Sequence, residues 1–210
     1  MPTVVGVKAD APWKTFGELV EHAKRNPGKL RVGSIGVGSS PHIQIEMLQS
    51  MTGIKPVHVP FEGGESVVTA VLGGHVELTA DGFSKVKPHM EAGTMRVLVI
   101  DPKRSENPHI ASLSELGYRE SLPSTWFAMC APAGIPEEVK RALVPTIEKA
   151  VKLTKPRIEQ LGGICDYKTP AEQRKLRDDE YRKVYNIAVR TGLRKPWSVF
   201  GRCSPISFPL

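Results

Sequence analysis

The sequence predicts an α/β fold built on a parallel sheet, and three observations carry this prediction. Helical and strand patterns alternate from residue 13 onward. The segments between successive predicted strands are long enough for crossover connections, which parallel strands require. The apolar run Val97–Ile100 is uninterrupted, as in a strand that is covered on both faces.

The elements of the first part of the chain follow in a regular order. Thr15 and Glu18 have the spacing of a capping box, and the helix that they open is ended by Pro27-Gly28. A second helix begins at Pro41, which suits a first helical position. The remaining predictions are strands at 30–34, 56–59, 76–80 and 95–100, and helices at 66–72 and 84–92. Residues 1–122 therefore form one α/β domain that carries the candidate ligand-binding loops.

The second part of the chain has a different composition. We predict a strand at 124–131, a helix at 137–153 and a further strand at 164–167. Thr169 and Glu172 form a second capping box, and the helix that they open runs to about Arg190. A segment of this length makes a poor core by itself, so residues 123–193 should pack on something else. Residues 194–210 show no period and are predicted to be an irregular tail.

Charge and composition exclude several classes of protein. The net charge of +7 is dispersed, without an arginine-rich run, so we expect no nucleic-acid partner but a mild attraction for small anions. No apolar stretch reaches the ~18 residues of a membrane span. The start MPTVVGVKADAPW lacks the pattern of a signal peptide, which taken alone favours a cytoplasmic chain. The cysteines lack metal-type spacing, and Cys130, in an apolar run, is predicted to be a buried inert thiol.

The sharpest local feature is a glycine-serine loop, residues 33–40. It joins a strand to the start of a helix, where backbone N–H groups and the helix dipole favour an anion. Gly36 and Gly38 allow the backbone to approach a ligand, while Ser34, Ser39 and Ser40 add hydroxyl groups. The spacing GxxGxG is neither the dinucleotide pattern nor a nucleotide P-loop. A tight strand-to-helix turn with a serine N-cap remains the alternative.

Two further loops follow predicted strands. The first contains Pro60, Phe61, Gly63 and Gly64, and the second begins at Asp81. Ligands of open parallel sheets bind outside the carboxyl ends of the strands, so the three loops should line one crevice. A simple turn is the alternative for the Pro60 loop. For Asp81, helix capping or loop ordering is favoured over a ligand contact.

The sequence does not support catalysis. His42 has no evident partner, so a packed or solvent-facing side chain is favoured, and Glu46, four residues on, should stabilise the helix. The other histidines, His58 among them, lie in unrelated contexts. Ser39 superficially resembles a nucleophile elbow, but Val37 and Pro41 occupy its glycine positions. We therefore expect no catalytic residue, no metal and no cofactor.

Taken in order, these motifs resemble the solute-binding receptors of tripartite tricarboxylate transporters. The family pattern GS-x-G-x-GS-x-x-H-x-x-x-E is met at 33–46, and VP-aromatic-x-GG is met at 59–64. The resemblance covers roughly residues 4–193. It implies a periplasmic-binding-protein type II-like fold with two α/β domains that close on a carboxylated ligand. Such a receptor, expected to be a monomer, delivers its ligand to membrane permease subunits from the periplasm.

The resemblance also implies the ligand class and the contacts. The ligand is a di- or tricarboxylate, an amino acid or an aromatic acid, held by backbone amides, serines and water. The contacts carried over are Ser34, Gly38, Ser39, Ser40, the Pro60–Gly64 loop and, with less support, Asp81.

The chain departs from the family at several points. Nothing matches the first portion of the outer domain, which supplies the opposing wall of the cleft, so the chain is interpreted as N-terminally truncated. Residues 123–193 then correspond to the returning half of that domain. Phe61 stands where tyrosine is common, which removes a hydroxyl group. The alternatives are a fragment that acts as an interaction or sensory module and, less favoured, a hydrolase that uses Ser39. The sequence does not identify the organic acid.

Overall fold

A computed structural model describes residues 1–194. Except for Arg194, the tail predicted at 194–210 therefore lies outside the described residues. Strands and helices alternate up to residue 101, and two long helices follow. In chain order the elements are β1 (Thr3–Lys8), α1 (Phe16–Arg25), β2 (Arg31–Ser34), α2 (Ser40–Thr52), β3 (Val57–Pro60), α3 (Gly64–Leu72), β4 (Leu78–Gly82), α4 (Phe83–Glu91), β5 (Met95–Asp101), α5 (Glu137–Gln160) and α6 (Pro170–Arg190).

The sheet is mixed, with the strand order β3-β2-β4-β1-β5. β2 pairs in parallel with β3 and β4, whereas β1 is antiparallel to both β4 and β5. The prediction of an all-parallel sheet is therefore wrong at β1, a strand that the sequence pattern did not reveal. Gly6 interrupts the short apolar run of β1, and neighbouring side chains pack closely against the backbone at this position. A Cβ on Gly6 would lie 3.2 Å from Val86 and 3.2 Å from Met95.

Two predicted strands of the second part are absent. Residues 124–131 and 164–167 are not strands, because no strand within residues 1–194 pairs with them. The side chains of Phe127 and Met129 are 83% and 78% exposed. The buried thiol predicted at Cys130 is also wrong, since that cysteine is exposed. The two predicted helices are confirmed, although α5 runs past Pro156 to Gln160.

The sheet is covered on both faces, as the apolar strand β5 predicted. On one face, α1 and α2 pack Leu19 and Ile45 against Val5 and Val99. On the other face, α3 and α4 contribute a second cluster around Phe83. α6 reaches the first cluster through Ile187, whereas no residue of α5 is buried. The division of the chain at residue 122 stays a prediction.

Arg104 fastens the end of α5 to the sheet. Its guanidinium is almost fully buried and donates to the carbonyl oxygens of Gly162 and Gly163, each at 2.9 Å. Nε lies 3.2 Å from Oε2 of Glu106, and the cation lies 5.7 Å from the centre of the Phe83 ring. These contacts hold together segments 58 residues apart.

Replacing Arg104 with Met should destabilise the fold. The variant loses two charge-assisted hydrogen bonds and leaves two buried carbonyl oxygens without donors, so we expect a loss of about 2–4 kcal/mol in the free energy of unfolding. Arg25→Met is the matched control, because its ion pair with Glu21 is exposed and should contribute less than about 1 kcal/mol. Equal losses in a urea titration of the two variants would contradict the assigned role.

Asp101 is the last residue of β5, and its carboxylate binds the segment around Leu122. The carboxylate is 4% exposed, and its Oδ2 accepts from the N–H of Leu122 at 2.6 Å. Burial raises the pKa of Asp101 above its ordinary value, and the Leu122 hydrogen bond offsets this only in part. The ionised carboxylate is therefore disfavoured in the folded state. Because the pKa of Asp101 is raised on folding, the contribution of this carboxyl group to folding stability is fully present below the ordinary pKa. It is lost as the pH rises through the raised pKa.

Asp101→Asn should therefore be more stable than the wild type at pH 7. Asparagine keeps an oxygen acceptor for Leu122 but buries no charge. The difference should shrink as the pH falls toward 4, because the wild-type carboxyl group becomes neutral there. Thermal melts at several pH values measure this, with the exposed Asp10→Asn as the control. A wild type that is more stable than Asp101→Asn at pH 7 would refute the prediction.

Candidate functional site

The parallel pairing of β2 places three strand-to-helix connections at one edge of the sheet. β2 runs parallel to β3 on one side and to β4 on the other, so the carboxyl ends of the three strands lie together. Ser34 stands opposite Pro60 in the register, and its carbonyl oxygen accepts from the N–H of Phe61 at 2.8 Å. The shared edge that the sequence predicted for these three connections is confirmed. The loop predicted at Asp81 is wrong, because Asp81 and Gly82 lie in β4 and α4 begins directly at Phe83.

The glycine-serine loop enters α2 through a serine cap. Gly36 and Gly38 have φ of 117° and 78°, which side-chain-bearing residues rarely adopt. Ser39 is the N-cap of α2: its Oγ accepts from the N–H of His42 and donates to the Gly36 carbonyl at 2.7 Å. The N-cap that was the alternative interpretation is thus present. Ser40, the first residue of α2, is exposed at the mouth of the loop.

Ser34 lies beneath this loop and is fully buried. Its Oγ accepts from the N–H of Gly36 at 3.1 Å and is hydrogen-bonded to Nε2 of His58. In this structure Ser34 orders the loop from below. A direct ligand contact by this hydroxyl stays a prediction.

The two histidines of the site are stacked. The rings of His42, on α2, and His58, on β3, lie nearly parallel with centroids 4.0 Å apart. His42 is buried, as the packed interpretation held, and its Nδ1 accepts from the N–H of Gly38 at 2.9 Å. Glu46 lies on the other side, 3.5 Å from Nε2. The interpretation that His58 lies in an unrelated context is wrong, because strand pairing, which the local sequence does not show, brings it to Ser34.

Burial lowers the pKa of His58 below its ordinary value of 6.5, and the neighbouring His42 lowers it further. His58 is therefore neutral at pH 7, and one of its ring nitrogens is available as an acceptor. This suits a hydrogen bond in which the Ser34 hydroxyl donates to Nε2.

The loop after β3 leads into a helix without a side-chain cap. Gly63, with φ of 119°, is the N-cap of α3, so no side chain there accepts from the first turn. Lys85 of α4 packs against this turn: a Cβ on Gly64 would lie 2.6 Å from Nζ of Lys85. Pro60 is exposed and Phe61 is half-buried beside Gly33. Sequence reasoning missed Lys85, and its spacing four residues after Asp81 was the available signal.

Asp81 holds Lys85 in this position. Its Oδ2 lies 2.7 Å from Nζ of Lys85, and its Oδ1 accepts from the N–H of Gly82 at 2.6 Å. The carboxylate is buried, and both oxygens have protein donors. Asp81 therefore orders the direct junction between β4 and α4, where the sequence predicted a loop, and keeps an ammonium group beside the first turn of α3.

A model of the Tripartite tricarboxylate transporter family receptor matches residues 1–188. The chain belongs to this family. It is a family of solute-binding receptors, not of enzymes. A UPF0065 protein from Cupriavidus necator is 35% identical to this receptor over 149 residues, which are 70% of this chain and 45% of that protein. Protein BugT of Bordetella pertussis is 26% identical to this chain over 199 residues, which are 92% of this chain and 61% of BugT.

Solved structures share the fold. A periplasmic transporter protein matches with a TM-score of 0.81 and 26% identity over 92% of this chain and 66% of its own. A protein of R. palustris that was solved with adipate matches with a TM-score of 0.79 and 26% identity over 89% of this chain and 65% of its own. MatC of Rhodopseudomonas palustris, at 20% identity and a TM-score of 0.74, supports the fold alone.

The chain spans about half the length of its first curated relatives, 45% of two of them and 46% of a third. Of the two solved structures at 26% identity it covers 65% and 66%. None of the helices among residues 1–194 is both long and apolar enough to cross a bilayer. In the same residues, no group of three His, Cys, Asp or Glu side chains is arranged to hold a metal ion.

Gly63→Ala should damage the start of α3. The φ of 119° at Gly63 lies in a region open essentially to glycine alone, so alanine should cost about 1–3 kcal/mol of stability. Gly17→Ala in α1 is the control, because its Cβ meets only Thr15 at 3.9 Å and alanine should stabilise that helix by about 0.5–1 kcal/mol. Chemical denaturation compares the two, and a neutral Gly63→Ala would show that the backbone relaxes there.

Proposed function

We propose that this receptor binds a small dicarboxylate at the carboxyl ends of β2, β3 and β4 and releases it to the permease subunits of a tripartite transporter in the periplasm. The observation that carries the proposal is the uncapped first turn of α3 beside Lys85, at the edge of the sheet where these three strand ends meet. The R. palustris relative solved with adipate supports the choice of a dicarboxylate.

The electrostatics of this edge favour an anion. The first-turn N–H groups of a helix have no intrahelical acceptor, and the helix dipole adds a partial positive charge. A lysine at such an end is repelled by that partial charge, and Asp81 offsets the repulsion from one side only. A ligand carboxylate between α3 and Lys85 would be attracted to both. The net charge of +7 adds a weak long-range attraction.

The loops described here form one wall of the proposed site. The two solved relatives at 26% identity are about one and a half times as long as the part of them that this chain matches, and the opposing wall is proposed to correspond to their unmatched portion. The exposed apolar side chains of Trp126, Phe127 and Met129 support the second candidate function, an interaction module. Ligand binding by this chain distinguishes the two.

The hydrolase alternative has no support in the geometry. Ser39 Oγ donates to the carbonyl of Gly36, whereas the two imidazoles contact Gly38 and Ser34. Ser34, the serine that does contact an imidazole, is fully buried. The family is one of receptors.

Adipate should raise the melting temperature of the wild type in a saturable way. A ligand that binds only the folded state stabilises it by about 2.7 kcal/mol at a concentration one hundred times Kd. Lys85→Met should raise Kd roughly tenfold, because a charge-assisted hydrogen bond is lost and Asp81 is left unpaired. Lys8→Met is the control: it removes the same charge from the opposite edge of the sheet, where β1 meets the start of β4.

The double variant Asp81→Asn with Lys85→Met separates the two causes. Affinity that stays low in the double variant assigns the effect to the lost cation, and affinity that recovers assigns it to the unpaired Asp81. A cooperative melt with no shift for adipate, malate or citrate would reject ligand binding by this chain and favour the interaction module.

A further inference from the structure

The amide of Gly38 does not face solvent as a free donor. It donates to Nδ1 of His42 at 2.9 Å, across one turn at the start of α2. Gly38 is also one of the two loop residues with positive φ, here 78°, so its peptide orientation is one that few residues adopt. The loop conformation is therefore fixed by a side chain that is 5% exposed and lies beneath it.

The contacts of His42 specify its tautomer. Because Nδ1 accepts from Gly38, the ring proton of the neutral imidazole must lie on Nε2. Nε2 faces Oε1 of Glu46 at 3.5 Å, one helical turn further along α2. A carboxylate on that side favours the proton there, in the way that hydrogen-bond partners commonly set a histidine tautomer.

A second imidazole completes the support from the neighbouring strand. His58 of β3 stacks on His42 with an angle of 12° between the rings. Its Nε2 is hydrogen-bonded to Ser34 Oγ, which in turn accepts from the N–H of Gly36. The two amides of the loop with positive φ, those of Gly36 and Gly38, are thus each held through one histidine. The pair joins α2, β2 and β3 below the loop.

We infer that His42 and His58 are positioning residues that hold the glycine-serine loop in its ligand-binding conformation without touching the ligand. The inference rests on the proposed binding of a carboxylate at this edge. Two imidazoles are needed for it, since apolar side chains of similar size would fill the same space but would leave the Gly38 amide and the Ser34 hydroxyl without these partners. The conformation of the binding loop is then determined by two histidines that lie beneath it.

The chain offers isosteric substitutions that separate packing from hydrogen bonding. The Oδ1 atom of asparagine occupies the place of a histidine Nδ1, and the Oε1 atom of glutamine reaches toward the place of Nε2. His42→Asn therefore keeps an acceptor for Gly38, whereas His42→Leu fills the space without one. At the strand, His58→Gln keeps a partner for Ser34 and His58→Leu does not. His75→Leu is the control, because that histidine is exposed in the turn that follows α3, away from the start of that helix.

Adipate titrations of these variants test the inference. His42→Leu and His58→Leu should raise Kd roughly fivefold to tenfold, the equivalent of one net hydrogen bond. His42→Asn and His58→Gln should recover most of the wild-type affinity, and His75→Leu should match the wild type. Leucine variants that fold and bind as the wild type does would overturn the inference. Failure of the wild type itself to bind adipate would count against the proposed function instead.

A measurement without ligand tests the positioning role of the histidines separately from the proposed binding of a carboxylate. Nitrogen NMR of the wild type should show His42 with an unprotonated Nδ1 and a proton on Nε2. Amide hydrogen exchange at Gly38 should be slow in the wild type and in His42→Asn, and faster in His42→Leu, while exchange in β4 and β5 is unchanged. A protonated Nδ1, or exchange at Gly38 that is equally fast in all three proteins, would refute the positioning role whatever the ligand.

Discussion

The parallel pairing of β2 with both β3 and β4 is the constraint on which the candidate site depends. Parallel strands bring their carboxyl ends to the same edge, and here they place the N-termini of α2, α3 and α4 side by side. Had β2 paired antiparallel with either neighbour, one of these three connections would lie at the opposite edge. β1 is antiparallel to its neighbours, so the loop that follows it lies at the opposite edge, and the mixed character of the sheet leaves the site intact.

The loops are held by buried polar contacts and not by their own sequence alone. A glycine-rich loop has many accessible conformations, and fixing one costs conformational entropy. Beneath the glycine-serine loop, the Ser34 hydroxyl and two imidazoles offset that cost by accepting from its amides or by holding the group that does. At the junction between β4 and α4, Asp81 holds Gly82 and Lys85 by hydrogen bonds.

The start of α3 combines an uncapped turn with a nearby cation. α3 begins at a glycine that offers no capping side chain, and the Lys85 ammonium packs against its first turn, which also carries Glu65. In a protein that needed only a stable turn, this arrangement would be costly. In a carboxylate receptor it leaves donors and charge open for the ligand.

The sequence by itself determined the features that depend on neighbours along the chain. The caps at Thr15, Ser39 and Thr169, the helices and the loops after β2 and β3 all arise from residues within a few positions of one another. The order of the motifs was sufficient to indicate the family. Ser39 and Ser40 were found where the pattern placed them, at the start of α2.

Only the tertiary structure decided the contacts between distant segments. The place of β1 in the sheet, the stack of His42 on His58 and the approach of Lys85 to Gly64 depend on which strands and helices become neighbours. The strand predicted at 124–131 failed for the same reason, because an extended segment becomes a strand only when another pairs with it. Local patterns fix φ and ψ preferences, whereas pairing and burial are settled between residues far apart in the chain.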